Sequence, residues 1–100
     1  MRETILKSKD KRYLKSIAHA QKPVVTIGSK GLTQAVLKEL DTALAHHELL
    51  KVKIQGEDRD GRRAMASSVC ATLGADLVQC LGHIATLYRP NPDNPSIQLP

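Results

Sequence analysis

The sequence predicts an α/β domain: a two-layer sandwich with a mixed four-stranded sheet and three helices, in the order α-β-α-β-α-β-β. Apolar residues recur at helical spacing in three segments, and four short β-rich runs lie between and after them. The last two runs are separated only by Gly82-His83, the spacing of a hairpin. Strand-helix-strand units favour parallel neighbours joined by right-handed crossovers, and the terminal hairpin adds an antiparallel pair, so the sheet is mixed. With 100 residues, 41% of them hydrophobic, the chain can build one modest core.

Ser8 can cap a first helix running to about Ala20, with Leu14, Ile17 and Ala18 on one side and Tyr13 at the flank. Lys11, Arg12, Lys15 and His19 point the other way, as a basic stripe. Lys22-Pro23 ends that helix, because proline disfavours helical geometry in the residue before it. Val24 to Ile27 is a strand, closed by Gly28. Thr33 is a good N-cap for a second helix to about His47, with Leu32 and Leu37 at staple spacing and Val36, Leu37, Leu40 and Leu44 as its buried stripe. Leu50, Val52 and Ile54 alternate with Lys51 and Lys53, the period of a strand with one wet face. If those lysines are wet, the helices cover only one face of the sheet. Asp58 or Asp60 can cap a third helix bearing Met65, Val69 and Leu73, and Gly74 closes it. Strands Leu77 to Leu81 and Ile84 to Tyr88 follow. Residues 1–90 thus form one domain and 91–100 an extended, proline-rich tail.

The net charge of +5 is unevenly spread: residues 1–31 hold eight basic and two acidic side chains, whereas residues 32–61 hold four and six. Such a basic patch suits an anionic partner. A membrane surface would also want bulky apolar residues opposite the charges, yet the chain has no Phe or Trp and only Tyr13 and Tyr88 as aromatics. No apolar run approaches the roughly 20 residues of a membrane span, and Lys7, Lys9 and Lys11 stand where a signal peptide needs its apolar stretch. A cytoplasmic, monomeric protein that binds nucleic acid is the expectation.

Gly28-Ser29-Lys30-Gly31 joins the first strand to the second helix. Glycines at both ends let a phosphate approach the backbone, the following helix presents its positive end, and Lys30 adds a mobile cation. On its own, G-x-x-G fits a tight strand-to-helix turn with a solvated lysine slightly better than a phosphate grip. Position adds to the functional case: with the first two strands parallel, this loop and the turn before the third helix share the carboxyl edge of the sheet, where such folds place ligands. Arg62 and Arg63 open the third helix there, and a first helix antiparallel to the strand it precedes brings Lys7, Lys9 and Lys11 toward the same edge. Glu57, Asp58 and Asp60 occupy that turn as helix-capping residues.

The loop lacks the third glycine of a dinucleotide fingerprint and the Gly-Lys-Ser/Thr ending of a Walker loop, so no cofactor or small-molecule substrate is expected. Cys70 and Cys80 form no metal-site spacing, and His19, His46, His47 and His83 have no nucleophile or carboxylate that sequence places beside them. The chain therefore carries no sign of an enzyme. Tyr88-Arg89 closes the last strand, where Arg89 could pair with a nucleotide but fits a surface arginine better. The scarcity of aromatics rules out the stacking platform of an RRM, and a KH domain places its G-x-x-G between two helices.

The run Lys22-Pro23-Val24-Val25-Thr26-Ile27-Gly28-Ser29-Lys30-Gly31-Leu32-Thr33, then His46-His47-Glu48-Leu49-Leu50-Lys51-Val52-Lys53-Ile54, then Leu87-Tyr88-Arg89-Pro90, resembles the CRM domain (chloroplast RNA splicing and ribosome maturation), in its stand-alone bacterial YhbY-like form. The match covers nearly the whole chain. Cys80 and His83 depart from it, standing where relatives commonly carry bulkier aliphatic or basic residues. The resemblance implies a fold like the C-terminal domain of translation initiation factor 3, RNA binding through the G-x-x-G loop and nearby basic surface, and association with precursors of the large ribosomal subunit. By position the loop is Gly28, Ser29, Lys30 and Gly31; Lys11, Arg12, Lys15, Lys22, Arg62, Arg63 and Arg89 complete the expected RNA contacts. The alternative is a module that binds a ribosomal protein through the wet sheet face, with incidental RNA contact.

Overall fold

A computed structural model describes residues 6–93 and 95–100. Its elements are α1 (Ser8–Ala18), β1 (Val25–Ile27), α2 (Gln34–His47), β2 (Leu49–Ile54), α3 (Arg59–Leu73), β3 (Asp76–Leu81) and β4 (Ile84–Tyr88). The α/β class, the element order and the mixed sheet are as the sequence predicts.

Local chemistry sets the helix ends. The Thr33 hydroxyl accepts the Val36 amide at 3.1 Å and the Asp58 carboxylate accepts the Gly61 amide at 2.7 Å, each satisfying one orphan donor of a first helical turn. Gly74 ends α3 in the left-handed conformation, φ 67°. Helix α1 differs in its cap: Ser8 is its first residue, and Asp10 reaches back to the amide of Lys7, at the N-cap position, at 3.0 Å.

The strands lie in the order β1-β2-β4-β3. Strand β2 is parallel to β1 and antiparallel to β4, and β3 pairs with β4 through the terminal hairpin. Alternation along β2 sends Leu50, Val52 and Ile54 into the main core with Leu40 and Leu44 of α2 and Ala66, Val69 and Cys70 of α3.

The helices are divided between the two faces of the sheet, in contrast to the expected single helical layer. Leu14 and Ala18 of α1 pack with Leu49, Val78 and Tyr88 in a second cluster on the face opposite α2 and α3. The reason lies in the adjacent pair Leu49-Leu50. Consecutive strand residues point to opposite faces, so Leu49 needs a cover that α2 and α3 cannot supply. Helix α1 supplies it with an apolar stripe of its own, and Leu14 is fully buried there. Residue Lys51 is half-buried beside α1 rather than fully wet.

The C-terminal segment has no regular structure, yet it folds back on the domain instead of extending away. Glu48, buried at the α2–β2 junction, accepts backbone amides of Asn91 (2.5 Å), Ser96 (2.8 Å) and Ile97 (3.0 Å), and Ile97 packs against the α1 cluster. No helix of the described residues is long and apolar enough to cross a membrane.

Candidate nucleic-acid interface

Strand β1 ends at Ile27, and the chain reverses at once: the Gly31 amide donates to the Gly28 carbonyl at 3.0 Å and the Thr33 amide to the Gly31 carbonyl at 3.1 Å. Only one of the two glycines is demanded by conformation. Gly31 has φ +74°, whereas Gly28 has ordinary backbone angles. A Cβ built on Gly28 meets nothing within 4 Å, so its missing side chain leaves open space beside the backbone. Ser29 and Lys30 are exposed at the tip, and the positive end of α2 follows directly.

Three segments meet at the carboxyl edge of β1 and β2. The Gln55 amide donates to the Ile27 carbonyl at 3.0 Å and the Ile54 amide to the His83 carbonyl at 2.7 Å; His83 Nδ1 lies 2.8 Å from the Ile54 carbonyl oxygen. The Gly28–Gly31 turn, the turn before α3 and the β3–β4 hairpin therefore share one edge. Arg59 and Arg63 are exposed at the start of α3. Arg62 is committed to the fold, with Nε donating to the Gly82 carbonyl at 2.7 Å and Nη1 to the Glu57 carbonyl at 2.6 Å. It ties the helix to both neighbouring turns.

Arg89 stands apart from the other expected contacts. Strand β4 runs antiparallel to β2, so its end lies at the beginning of β2, across the sheet from the Gly28 turn. There the guanidinium donates to the Asp41 carboxylate (2.7 Å), the Asp41 carbonyl (3.0 Å) and the Leu73 carbonyl (3.0 Å), joining α2 to the end of α3. This is a structural fork of the kind only arginine forms.

The basic stripe of α1 flanks its buried side. Lys15 and His19 border an open cleft with Lys51, Gln79, Leu81, Ile84 and Thr86, and Lys11 and Arg12 continue the same flank at helical spacing. The orientation of α1 corrects the expectation for Lys7, Lys9 and Lys11. Leu14 packs with Leu49, and Lys51 Nζ donates to the carbonyls of His19 (3.4 Å) and Gln21 (3.2 Å). The helix therefore advances from the start of β2 toward its middle, with its carboxyl end leading, and Lys7, Lys9 and Lys11 lie behind. Lys22 is exposed in the link to β1.

Sequence reasoning missed Glu48. It is a non-glycine residue at φ 58°, ψ −47°, and its carboxylate is the anchor for the C-terminal segment. Its only local signal is a lone acidic residue between the helix-ending His46-His47 and an apolar strand. Its partners lie more than forty positions away.

Comparison with known proteins agrees with this architecture. The chain is 45% identical over 97 residues to an RNA-binding protein of Haemophilus influenzae, covering 97% of each chain. It is 47% identical over 87 residues to PA4753 of Pseudomonas aeruginosa, named as a probable RNA-binding protein, covering 87% of this chain and 84% of that one. The solution structure of the hypothetical protein SAV1595 from Staphylococcus aureus superposes with a TM-score of 0.84 at 33% identity, covering 96% of this chain and all of that one. The CRS1/YhbY (CRM) domain profile matches residues 6–89. The chain belongs to the CRS1/YhbY (CRM) domain family.

Proposed function

We propose that this protein is a non-catalytic, cytoplasmic RNA-binding factor that associates with the precursor of the large ribosomal subunit and assists its assembly. The observation that carries the reading is the Gly28–Gly31 turn. It has an exposed lysine, open space at Gly28 and a helix N-terminus behind it, on the same sheet edge as Arg59 and Arg63. The turn holds the RNA backbone, Lys30 neutralises a phosphate, and Lys11, Arg12 and Lys15 extend the electrostatic track. Backbone contacts of this kind position a protein on RNA by shape. The family membership and the names of the relatives support RNA as the partner; the ribosomal assignment rests on the sequence resemblance.

Two measurements test it. Sucrose-gradient sedimentation of a cell lysate should place the protein with large-subunit precursors, and a protein confined to the top of the gradient contradicts the ribosomal role. Ultraviolet crosslinking to RNA in those particles should mark the Gly28–Gly31 turn and α1. Crosslinks absent from both would favour a protein-docking module instead.

A further inference from the structure

Helix α1 covers only part of its face of the sheet. Beyond it lies one cross-strand row, Thr26–Lys53–Ile84–Leu81, contributed by all four strands in register. At an interstrand spacing of about 4.8 Å this row is roughly 14 Å long. Thr26 and Lys53 are exposed, Ile84 is half-buried, and Leu81 at the edge strand is 69% exposed. A second row, Lys51–Thr86–Gln79, lies about 7 Å behind it, under the rim formed by Lys15 and His19. Thr26 lies two positions before Gly28, so the rows connect that turn to the basic flank of α1.

The exposed charge that the strands and α1 bring to this surface has one sign, and the exposed acidic residues Glu57, Asp58 and Asp60 lie in the turn at its edge. Lys15, Lys51 and Lys53 border or occupy it, and the acidic residues of α1 and β3, Asp10 and Asp76, are both buried. The Lys51 ammonium already donates to the carbonyls that end α1, which leaves Lys15 and Lys53 as the cations turned outward. Between them, Ile84 and Leu81 form a small apolar shelf. A row about 14 Å long, whose apolar floor spans only the adjacent strands that carry Ile84 and Leu81, is too narrow for an A-form duplex. It fits about two or three unpaired nucleotides, phosphates toward the lysines and base faces on the shelf.

We propose that this uncovered part of the sheet binds a single-stranded RNA segment that continues from the Gly28–Gly31 turn, with Lys15 and Lys53 as its phosphate contacts and Ile84 and Leu81 as its base shelf. The assignment rests on the RNA-binding reading above and adds to it a preference for junctions between paired and unpaired RNA.

The test uses the full chain and two probes: a blunt RNA hairpin, and the same hairpin with a six-uridine single-stranded extension. Wild-type protein should bind the extended probe more tightly. Each phosphate contact to a single strand contributes about 0.7 to the salt slope, so Lys15→Ala with Lys53→Ala should flatten the slope for the extended probe by about 1.4. At 0.1 M salt that corresponds to a loss of roughly 25-fold. The blunt hairpin shares the Lys15 contact through the electrostatic track but not the Lys53 contact, so its slope should flatten by less than that of the extended probe. Replacing the uridines with 4-thiouridine should give crosslinks to the peptides containing Leu81 and Ile84. Equal binding of the two probes by wild type, or a double variant that keeps the preference, overturns the proposal. So does a double variant that keeps the preference but no longer co-sediments with ribosomal particles, which assigns the face to a protein. Lys30→Ala separates the two levels: it should weaken both probes, and if it weakens neither, the turn itself is misassigned whatever the extension does.

Discussion

Glu48 offers a sharp energetic test, because two opposed effects meet in one residue. Its carboxylate Oε1 accepts the amides of Ser96 and Ile97, and Oε2 accepts that of Asn91. Hydrogen bonds to a buried charge contribute about 1.5–3 kcal/mol each, but here they are not independent, since the segment can detach and return its amides to water. Glu48→Ala should therefore cost on the order of 2–4 kcal/mol. For a domain of this size that is a fall of at least about 10 °C in Tm. The backbone works against the native residue: φ 58°, ψ −47° is a strained γ-turn geometry worth about 1–3 kcal/mol for a residue with a Cβ. Glu48→Gly loses the same carboxylate and relieves that strain, so it should be more stable than Glu48→Ala by about 1 kcal/mol or more. Glu48→Gln discriminates further. With its amide oxygen turned to Ser96 and Ile97, its NH2 group opposes the Asn91 amide, a donor against a donor. Amide hydrogen exchange followed by NMR should show Asn91 deprotected most in Glu48→Gln, and all three amides deprotected in Glu48→Ala. Equal stability of the Ala and Gly variants would refute the strain argument. Retained protection of all three amides in Glu48→Ala would refute the anchor.

Arg89→Lys should lower stability by about 1–2 kcal/mol in urea titration, because an ammonium cannot span Asp41 and Leu73 as the planar fork does. Its RNA salt slope should equal the wild-type one, and a flattened slope would return Arg89 to the RNA surface. Gly31→Ala should cost about 1 kcal/mol through its positive φ alone, since the added Cβ meets only Met65 Cε at 3.9 Å. Gly28→Ala should fold with unchanged or slightly raised stability. A large loss in Gly28→Ala would contradict the open space at that turn. Burial first, and the Asp76 charge second, push the Cys70 thiol from 9.0 up to about 12. The unfolded thiol ionises at the lower pH, so this contribution to stability is intact below about pH 9 and is lost as pH rises toward 12. Urea midpoints should fall more steeply between pH 8 and 10.5 in wild type than in Cys70→Ala, and parallel curves would refute the shift.

What was legible in the sequence was what local chemistry decides. Thr33, Asp58 and Gly74 bound their helices because each satisfies donors or permits an angle within a turn of its own position. The hairpin at Gly82-His83 and the alternation of β2 were equally readable. The face covered by α1 was not, because the expectation rested on Lys51 and Lys53 and passed over Leu49, whose side chain demands a second layer. The insertion of β4 between β2 and β3 depends on pairing between distant segments. Lys11, Arg12 and Lys15 flank the buried side of α1, with Lys11 half-buried, rather than pointing directly away from it as the helical wheel had them. Arg62 and Arg89 were misplaced as surface cations because the carbonyls they bind come from other elements, which no local pattern reveals. Glu48 was hidden for the same reason.

The central claim is that RNA backbone is held at the Gly28–Gly31 turn, and the salt dependence of RNA affinity tests it most directly. If four to six phosphates are neutralised, log K against log salt should have a slope of about −3 to −5. Lys30→Ala should reduce its magnitude by about one. Gly28→Ala, which the fold accommodates without strain, should weaken binding through the methyl group it places where a phosphate would approach. Folded Lys30→Ala and Gly28→Ala proteins with wild-type affinity and slope would contradict the account.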